Sequence, residues 1–267
     1  INQDGDYLVD SFGVPVLKPL IIMGVTKKQD KLTFSIAFEI FNEILETFKI
    51  KKWKSLDFMN HSKGFSYWFR LISNKSQKIE IDYALFLEIK SDINLIKKSL
   101  RKSYKSLINL DQKKFNIKIL DFKDYKKWEE YRKLHIKTAK RETRDKKTWD
   151  IQFSHILSND SFLIYIEDEK NKLIGGGYYN CSKDECFYSI GVFDKEYLEI
   201  NLGHVINYYA IIEMIKRKIK WFKLGHTKIN YNEKEKKLES ISKFKLGFTS
   251  NIFPEFIISY NNVSRKS

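Results

Sequence analysis

Apolar and polar positions alternate most clearly between residues 162 and 224. FLIYIE (162–167), LIGGGYYN (173–180) and CFYSIGVF (186–193) predict three strands, joined by the polar turns DEKNK and SKDE. Connections this short make the three an antiparallel meander. An apolar run over 202–218 then predicts a helix, and WFKL (221–224), ending at Gly225, predicts a fourth strand. A helix between two strands gives a crossover that returns parallel.

The rest of the chain is less regular. Gly5, Gly13, Pro15, Pro19 and Gly24 make residues 1–31 read as loop, with one extended piece at 14–18. Leu32, Ile36, Ile40, Ile44 and Phe48 recur every fourth position and predict a helix over 32–49. A strand is expected at 52–58, and a helix over 61–73 that carries Phe65, Trp68 and Phe69 into a core. IDYALFLEI (81–89) predicts a strand, and Asp92 is placed to cap a helix through residue 108. One side of that helix is apolar (Ile93, Ile96, Leu100, Tyr104, Leu107); the other carries Lys97, Lys98, Arg101, Lys102 and Lys105. Beyond it the pattern predicts a strand at 116–121 and helices at 125–139 and 147–158 around a charged segment, 140–149. After Gly225 come a Lys/Glu-rich helix at 233–243, Gly247 as its C-cap candidate, and a last strand at 255–260.

With 267 residues, 42% of them hydrophobic, the chain is long enough for one large domain or two small ones with a real core. No apolar run approaches the ~18 residues that a membrane-spanning helix needs. No signal-peptide pattern is visible, and a chain that begins at Ile1 is expected to have its natural start upstream. The two cysteines, Cys181 and Cys186, flank a hairpin turn with no zinc-site spacing, and so few cysteines fit a reducing cytosol. The surplus of 49 basic over 34 acidic residues gives a net charge of +15, which favours anionic partners. The same lysine richness, with Ile, Asn, Phe and Tyr, is also what an AT-rich genome produces. HExxH, GxSxG, Cys/His metal sets and readable carboxylate pairs are all missing from the sequence, so neither a metal nor a serine-hydrolase mechanism is indicated.

From residue 116 the order strand, two helices, three strands, helix, strand, helix, strand is similar to the GNAT acyltransferase fold. LRKSYKSLIN (100–109), TRDKKTW (143–149), LGH (202–204), WFKLG (221–225) and ISKFKLGF (241–248) resemble, in order, stretches of the FemABX-like acyltransferases. That resemblance implies an α/β (α+β) fold with a mixed, mostly antiparallel central sheet flanked by helices. It implies a degenerate N-terminal GNAT-like half, 1–112, and a C-terminal acyltransferase domain, 113–267. The implied activity moves an acyl group from aminoacyl-tRNA or acyl-CoA to the amine of a bacterial cell-envelope or surface-polysaccharide precursor, such as an amino sugar. It implies no bound cofactor or metal, and a place in the cytoplasm or at the inner membrane surface.

Making an amide requires a neutral amine, a polarised donor carbonyl and a site that aligns them. The GNAT resemblance places a bulge in the strand 187–193, where freed N–H groups face the acyl carbonyl; Gly191 is its candidate. Simple alternation puts Ser189 and Gly191 on one face there, and Tyr188, Ile190 and Val192 on the other. Gly175, Gly176 and Gly177 mark a place where something approaches the backbone closely: a flat wall beside substrate, or a twisted strand. His204 is a candidate base, or a structural histidine in an apolar stripe. EINLGH (199–204) offers one glycine where CoA-binding relatives carry a glycine-rich pyrophosphate loop. Phe244 and Lys245 match the family's Phe-Lys pair, whose lysine stabilises the reacting carbonyl. Arg101 and Arg144 suit phosphate or carboxylate, and Trp149 and Tyr188 suit stacking on a sugar or base. The basic helix 92–108 is the candidate tRNA contact. The rival reading is a non-catalytic GNAT-like module that holds nucleic acid or an anionic glycan.

Overall fold

The computed structural model describes residues 9, 16–17, 26–50, 52–58, 64–74, 76–111, 115–120, 124–197 and 199–261. All five early turn signals, Gly5, Gly13, Pro15, Pro19 and Gly24, lie outside them. The described chain forms two compact units: residues 1–83 with 253–267, and residues 84–252. The expected division after residue 112 falls inside the second of these.

In the first unit, β1 (Val16–Leu17) pairs in parallel with β2 (Lys52–Phe58), which pairs antiparallel with β9 (Ile252–Asn261). Helices α1 (Lys27–Thr47) and α2 (Tyr67–Ser73) cover them. Thr26 and Gln29 close a reciprocal capping box at the start of α1, and the Ser66 side chain caps α2. The core is aromatic: Phe34 and Phe38 of α1 meet Trp68 of α2, and Trp53 packs on Tyr260. Leu32, Ile36, Ile40 and Ile44, the row that announces the helix in the sequence, point outward at 42–60% exposure. Phe34, Phe38 and Leu45 are the residues α1 buries.

The second unit begins within β3 (Lys78–Glu88). Its strand order is β3–β8–β7–β6–β5–β4. The strands are β4 (Asn116–Ile119), β5 (Ser161–Glu167), β6 (Leu173–Cys181), β7 (Glu185–Phe193) and β8 (Trp221–Thr227). Strands β4 to β7 are antiparallel in turn, and β8 returns parallel to β7 after α7 (Leu202–Lys216), as the crossover rule requires. On one face lie α5 (Tyr125–Ala139) and α6 (Lys146–Leu157), burying Trp128, Tyr131, Trp149 and Phe153 against Leu163, Tyr178 and Ile190. On the other lie α3 (Ile93–Ser99), α4 (Lys102–Asp111) and α7. The sequence predicts one helix over 92–108; the structure breaks it at Leu100, whose backbone is extended and whose side chain is buried. α8 (Lys236–Leu246) runs later than predicted and ends at Gly247.

Candidate active site

β7 and β8 pair at only three positions, Glu185↔Trp221, Cys186↔Phe222 and Phe187↔Lys223. β7 continues to Phe193 and β8 to Thr227, so past Lys223 the two strands form a fork. A register shift on the other edge of β7 accompanies it. Tyr178 pairs with Ile190 and Tyr179 with Tyr188, leaving Ser189 as the extra residue. The bulge is therefore at Ser189; Gly191 pairs directly with Gly177. A bulge reverses the alternation of side chains. Tyr188 packs with the α7-side core and Ile190 with the α5–α6 core, which overturns the shared face that simple alternation assigns them.

Tyr188 stacks on Tyr179 with ring centroids 5.2 Å apart. Its hydroxyl lies over Gly191, where any β-carbon would collide with it. Burial pushes the Tyr188 phenol up, opposed by a hydrogen bond to Asn207. Asn207 is itself buried, accepting from the Tyr179 hydroxyl at 3.1 Å and donating to the Gly203 carbonyl at 2.9 Å. The three glycines of β6 are the seats of the protein's own groups rather than a bare wall. Added β-carbons there would strike the ring of Phe193, the ring of Tyr131 and a methyl of Ile206.

Lys245, on the last turn of α8, reaches back to β8. Its ammonium occupies the space beside Gly225, which has φ +109°, a backbone conformation open to glycine. Gly225 lies two residues past the last β7–β8 pair, so β8 runs through it rather than ending there. Lys245 is half-buried and forms no hydrogen bond or ion pair with any described residue. Burial holds its pKa below the ordinary lysine range, opposed by nearby Tyr231. Tyr231 belongs to a hydroxyl cluster that sequence reasoning missed. Thr227 Oγ1 and Ser242 Oγ are in contact, Thr227 is 3.3 Å from the Tyr231 hydroxyl, and Tyr231 accepts from the Lys228 N–H at 2.8 Å. Burial pushes the Tyr231 phenol up, but bonds from Ser242, Thr227 and Lys228 outweigh it and hold it below its ordinary value. Nothing in TKINYNEK marks Tyr231, because the loop that folds it back has no periodicity to read.

The other candidates sit apart. His204, near the start of α7, is boxed by Tyr104 at 4.2 Å, Phe244 at 4.9 Å and Phe248 at 6.2 Å. Its Nδ1 is 3.2 Å from the Asn201 carbonyl. Burial lowers its pKa, the Asn201 bond opposes that, and the Arg101 charge adds to the lowering. Phe244 thus packs on His204, while its neighbour Lys245 turns to the fork. Arg101 is exposed over Tyr104, without an ion pair among the described residues. Arg144 lies across the sheet, over Trp149 at 5.1 Å, with a buried Nη1 that has no hydrogen-bond partner among the described residues. Burial lowers its pKa, and with Arg144 also lowers that of adjacent His135. Trp149 is buried in the α5–α6 core, so no face is open for stacking. At the α7 N-terminus the Leu202 and His204 amides already donate to Ile200 and Asn201. Of the basic side chains at 97–105, Lys105 caps the Lys98 carbonyl at 2.9 Å and Lys97 lies over Tyr208.

Neither a protein-family profile nor a curated protein sequence matches this chain. Solved structures do. The chain is similar to FemX, with a TM-score of 0.68 and 11% identity over 96% of this chain and 86% of that one. It is similar to L-PGS from Bacillus licheniformis, with a TM-score of 0.58 and 6% identity over 90% and 76% of the two chains. It is also similar to a tandem GNAT protein from the clavulanic acid biosynthesis pathway, at 0.50 and 6% over 85% and 69%. At these identities the likeness is one of fold: the chain has a FemX-like, GNAT-type fold.

Proposed function

We propose that this protein is an acyltransferase that forms an amide, with the donor carbonyl seated in the fork between β7 and β8. The observation that carries the reading is the unpaired, half-buried ammonium of Lys245 against Gly225, just past the last β7–β8 pair. In the reaction the acceptor nitrogen bonds to the carbonyl carbon and the oxygen gathers negative charge. The bond to the carrier then breaks, and an amine proton goes to the departing oxygen or sulfur. Lys245 and the β8-facing N–H groups of residues 188–193, which have no strand partner on that side, would stabilise the oxyanion. Fixed charge in a partly dry site acts on the transition state more than on the bound substrate.

Both donor classes remain within this proposal. Aminoacyl-tRNA is favoured by the cations at 97–105 and by the amides at the α7 N-terminus, which are largely taken up within the loop rather than left for a pyrophosphate. The acceptor is the amine of an anionic precursor such as an amino sugar of the cell envelope, in keeping with the net charge of +15. Arg144, with its buried, unpartnered Nη1, is the residue we assign to an anionic group of that substrate. The proposed roles suit the cytoplasm or the inner membrane surface. Among the described residues no helix is long and apolar enough to cross a membrane.

The test is steady-state transfer with wild type and Lys245→Ala, offered acetyl-CoA and charged tRNA in parallel. The expected loss for the variant is about 10²–10³ in kcat with little change in acceptor KM. Equal rates for the two proteins sink the assignment of Lys245. No turnover with either donor, together with salt-sensitive binding of unrelated nucleic acids, supports the rival reading of a binding module.

A further inference from the structure

The hairpin β6–β7 carries both cysteines of the chain, and neither has a place in the acyl-transfer reading. Cys181 and Cys186 lie directly opposite each other across the ladder. The turn between them is closed by Ser182 N–H donating to the Glu185 carbonyl at 2.7 Å. That makes 182/185 a hydrogen-bonded pair and 181/186 the adjoining non-hydrogen-bonded pair, the position where opposed side chains come closest. The two Sγ atoms are 2.9 Å apart, and both cysteines are free. The α-carbon separation of such a pair, ~4.5 Å, lies within the span that a disulfide bridges.

The two thiols are not equivalent. Cys186 is fully buried in the α7-side core; Cys181 is half-exposed at its edge. The Cys186 S–H bond holds the Cys181 thiol below its ordinary pKa, with the Arg217 charge adding to this and burial opposing it. Burial pushes Cys186 up. One sulfur is therefore placed to meet a reagent from solvent, and the other waits behind it.

We propose that Cys181 and Cys186 form a reversible thiol–disulfide couple, with Cys181 the peroxide-reactive thiol and Cys186 its resolving partner. The Cys181 thiolate attacks a hydroperoxide, breaking the O–O bond and giving a sulfenic acid and, after protonation, an alcohol or water. Cys186 sulfur then attacks the Cys181 sulfur; the S–OH bond breaks, and the hydroxide leaves as water with the Cys186 proton. Two thiols are oxidised by two electrons and one peroxide bond is reduced. A pair of this kind fits a reducing compartment, where protein disulfides are transient and sensing rather than permanent. The bond would tie β6 to β7 where Cys186 also pairs with Phe222 on β8, at the closed end of the fork.

The test treats the full-length, reduced, folded protein with one equivalent of hydrogen peroxide, followed by alkylation and intact mass. The expected product has lost two thiol hydrogens, resists alkylation, yields one cross-linked peptide containing both cysteines, and reverts with dithiothreitol. Cys186→Ala should stop at a sulfenic acid on Cys181 that dimedone traps, and Cys181→Ser should leave Cys186 unreacted while folded. Two alkylatable thiols after treatment, an interchain disulfide instead, or Cys186 reacting as fast without Cys181 would each overturn the proposal.

Discussion

A lysine ammonium that is half-buried and has no carboxylate to answer it gives up its proton more easily than one in water. For Lys245 that has a kinetic consequence. In the proposed reaction the charged form stabilises the oxyanion, so the rate should fall as pH rises through the lowered pKa. The acceptor amine must be neutral, so on the acid side the rate rises as pH rises. A bell-shaped profile is expected, and its alkaline limb should vanish in Lys245→Ala; a limb that survives belongs to another group. Gly191 gives a second check. A β-carbon there meets the Tyr188 hydroxyl, so Gly191→Ala should destabilise the protein by roughly 1–3 kcal/mol in urea unfolding. In a Tyr188→Leu background, which lacks both the hydroxyl and the ring carbon behind it, the same change should cost less; an equal cost would mean the contact is not what excludes the methyl. His204 supplies a third. Its lowered pKa means the unfolded chain takes up its proton first as acidity rises. Its contribution is complete above about pH 6.5 and is lost as pH falls toward the folded value. His204→Phe, which suits the aromatic box, should flatten part of the acid-side fall in stability; His135, lowered in the same direction, keeps the rest. An unchanged slope would mean that His204 does not titrate in this range.

Among the elements, those bounded by short turns or strong periodicity were legible in the sequence. Strands β5, β6 and β7 and helices α5, α6 and α7 fall within a residue or two of their predicted spans. What the sequence hid is non-local. The bulge at Ser189 has no residue signature, because it arises from how β7 must part from β8 while staying paired to β6. The break at Leu100 lies inside a continuous amphipathic pattern and shows only as an extended backbone between α3 and α4. On α1 two apolar rows compete, and the aromatic one wins the interior, since Phe34 and Phe38 fit against Trp68. That outcome is measurable. Phe38→Ala should cost about 3–5 kcal/mol of stability, whereas Ile40→Glu, on the exposed row, should stay within about 0.5 kcal/mol. Comparable losses for both would mean the outer row is covered in solution. Of the candidate site, the Phe-Lys resemblance pointed to Lys245 in the sequence, whereas its seat beside Gly225 and the cluster of Thr227, Tyr231 and Ser242 arise only in the fold.

For the whole molecule, the fold follows from the pattern of strands and helices, and the proposed chemistry from the fork where β7 and β8 part within residues 84–252. The same unit holds Arg101, Lys245 and the hydroxyl cluster, within a chain of net charge +15. The most direct measurement is a crystal structure of the full chain with a non-hydrolysable aminoacyl or acyl donor analogue. The carbonyl oxygen should lie between β7 and β8, within hydrogen-bond distance of Lys245 Nζ and of a backbone N–H among residues 188–193. A donor bound elsewhere, with Lys245 more than a hydrogen bond away and β7 and β8 paired along their length, would contradict it.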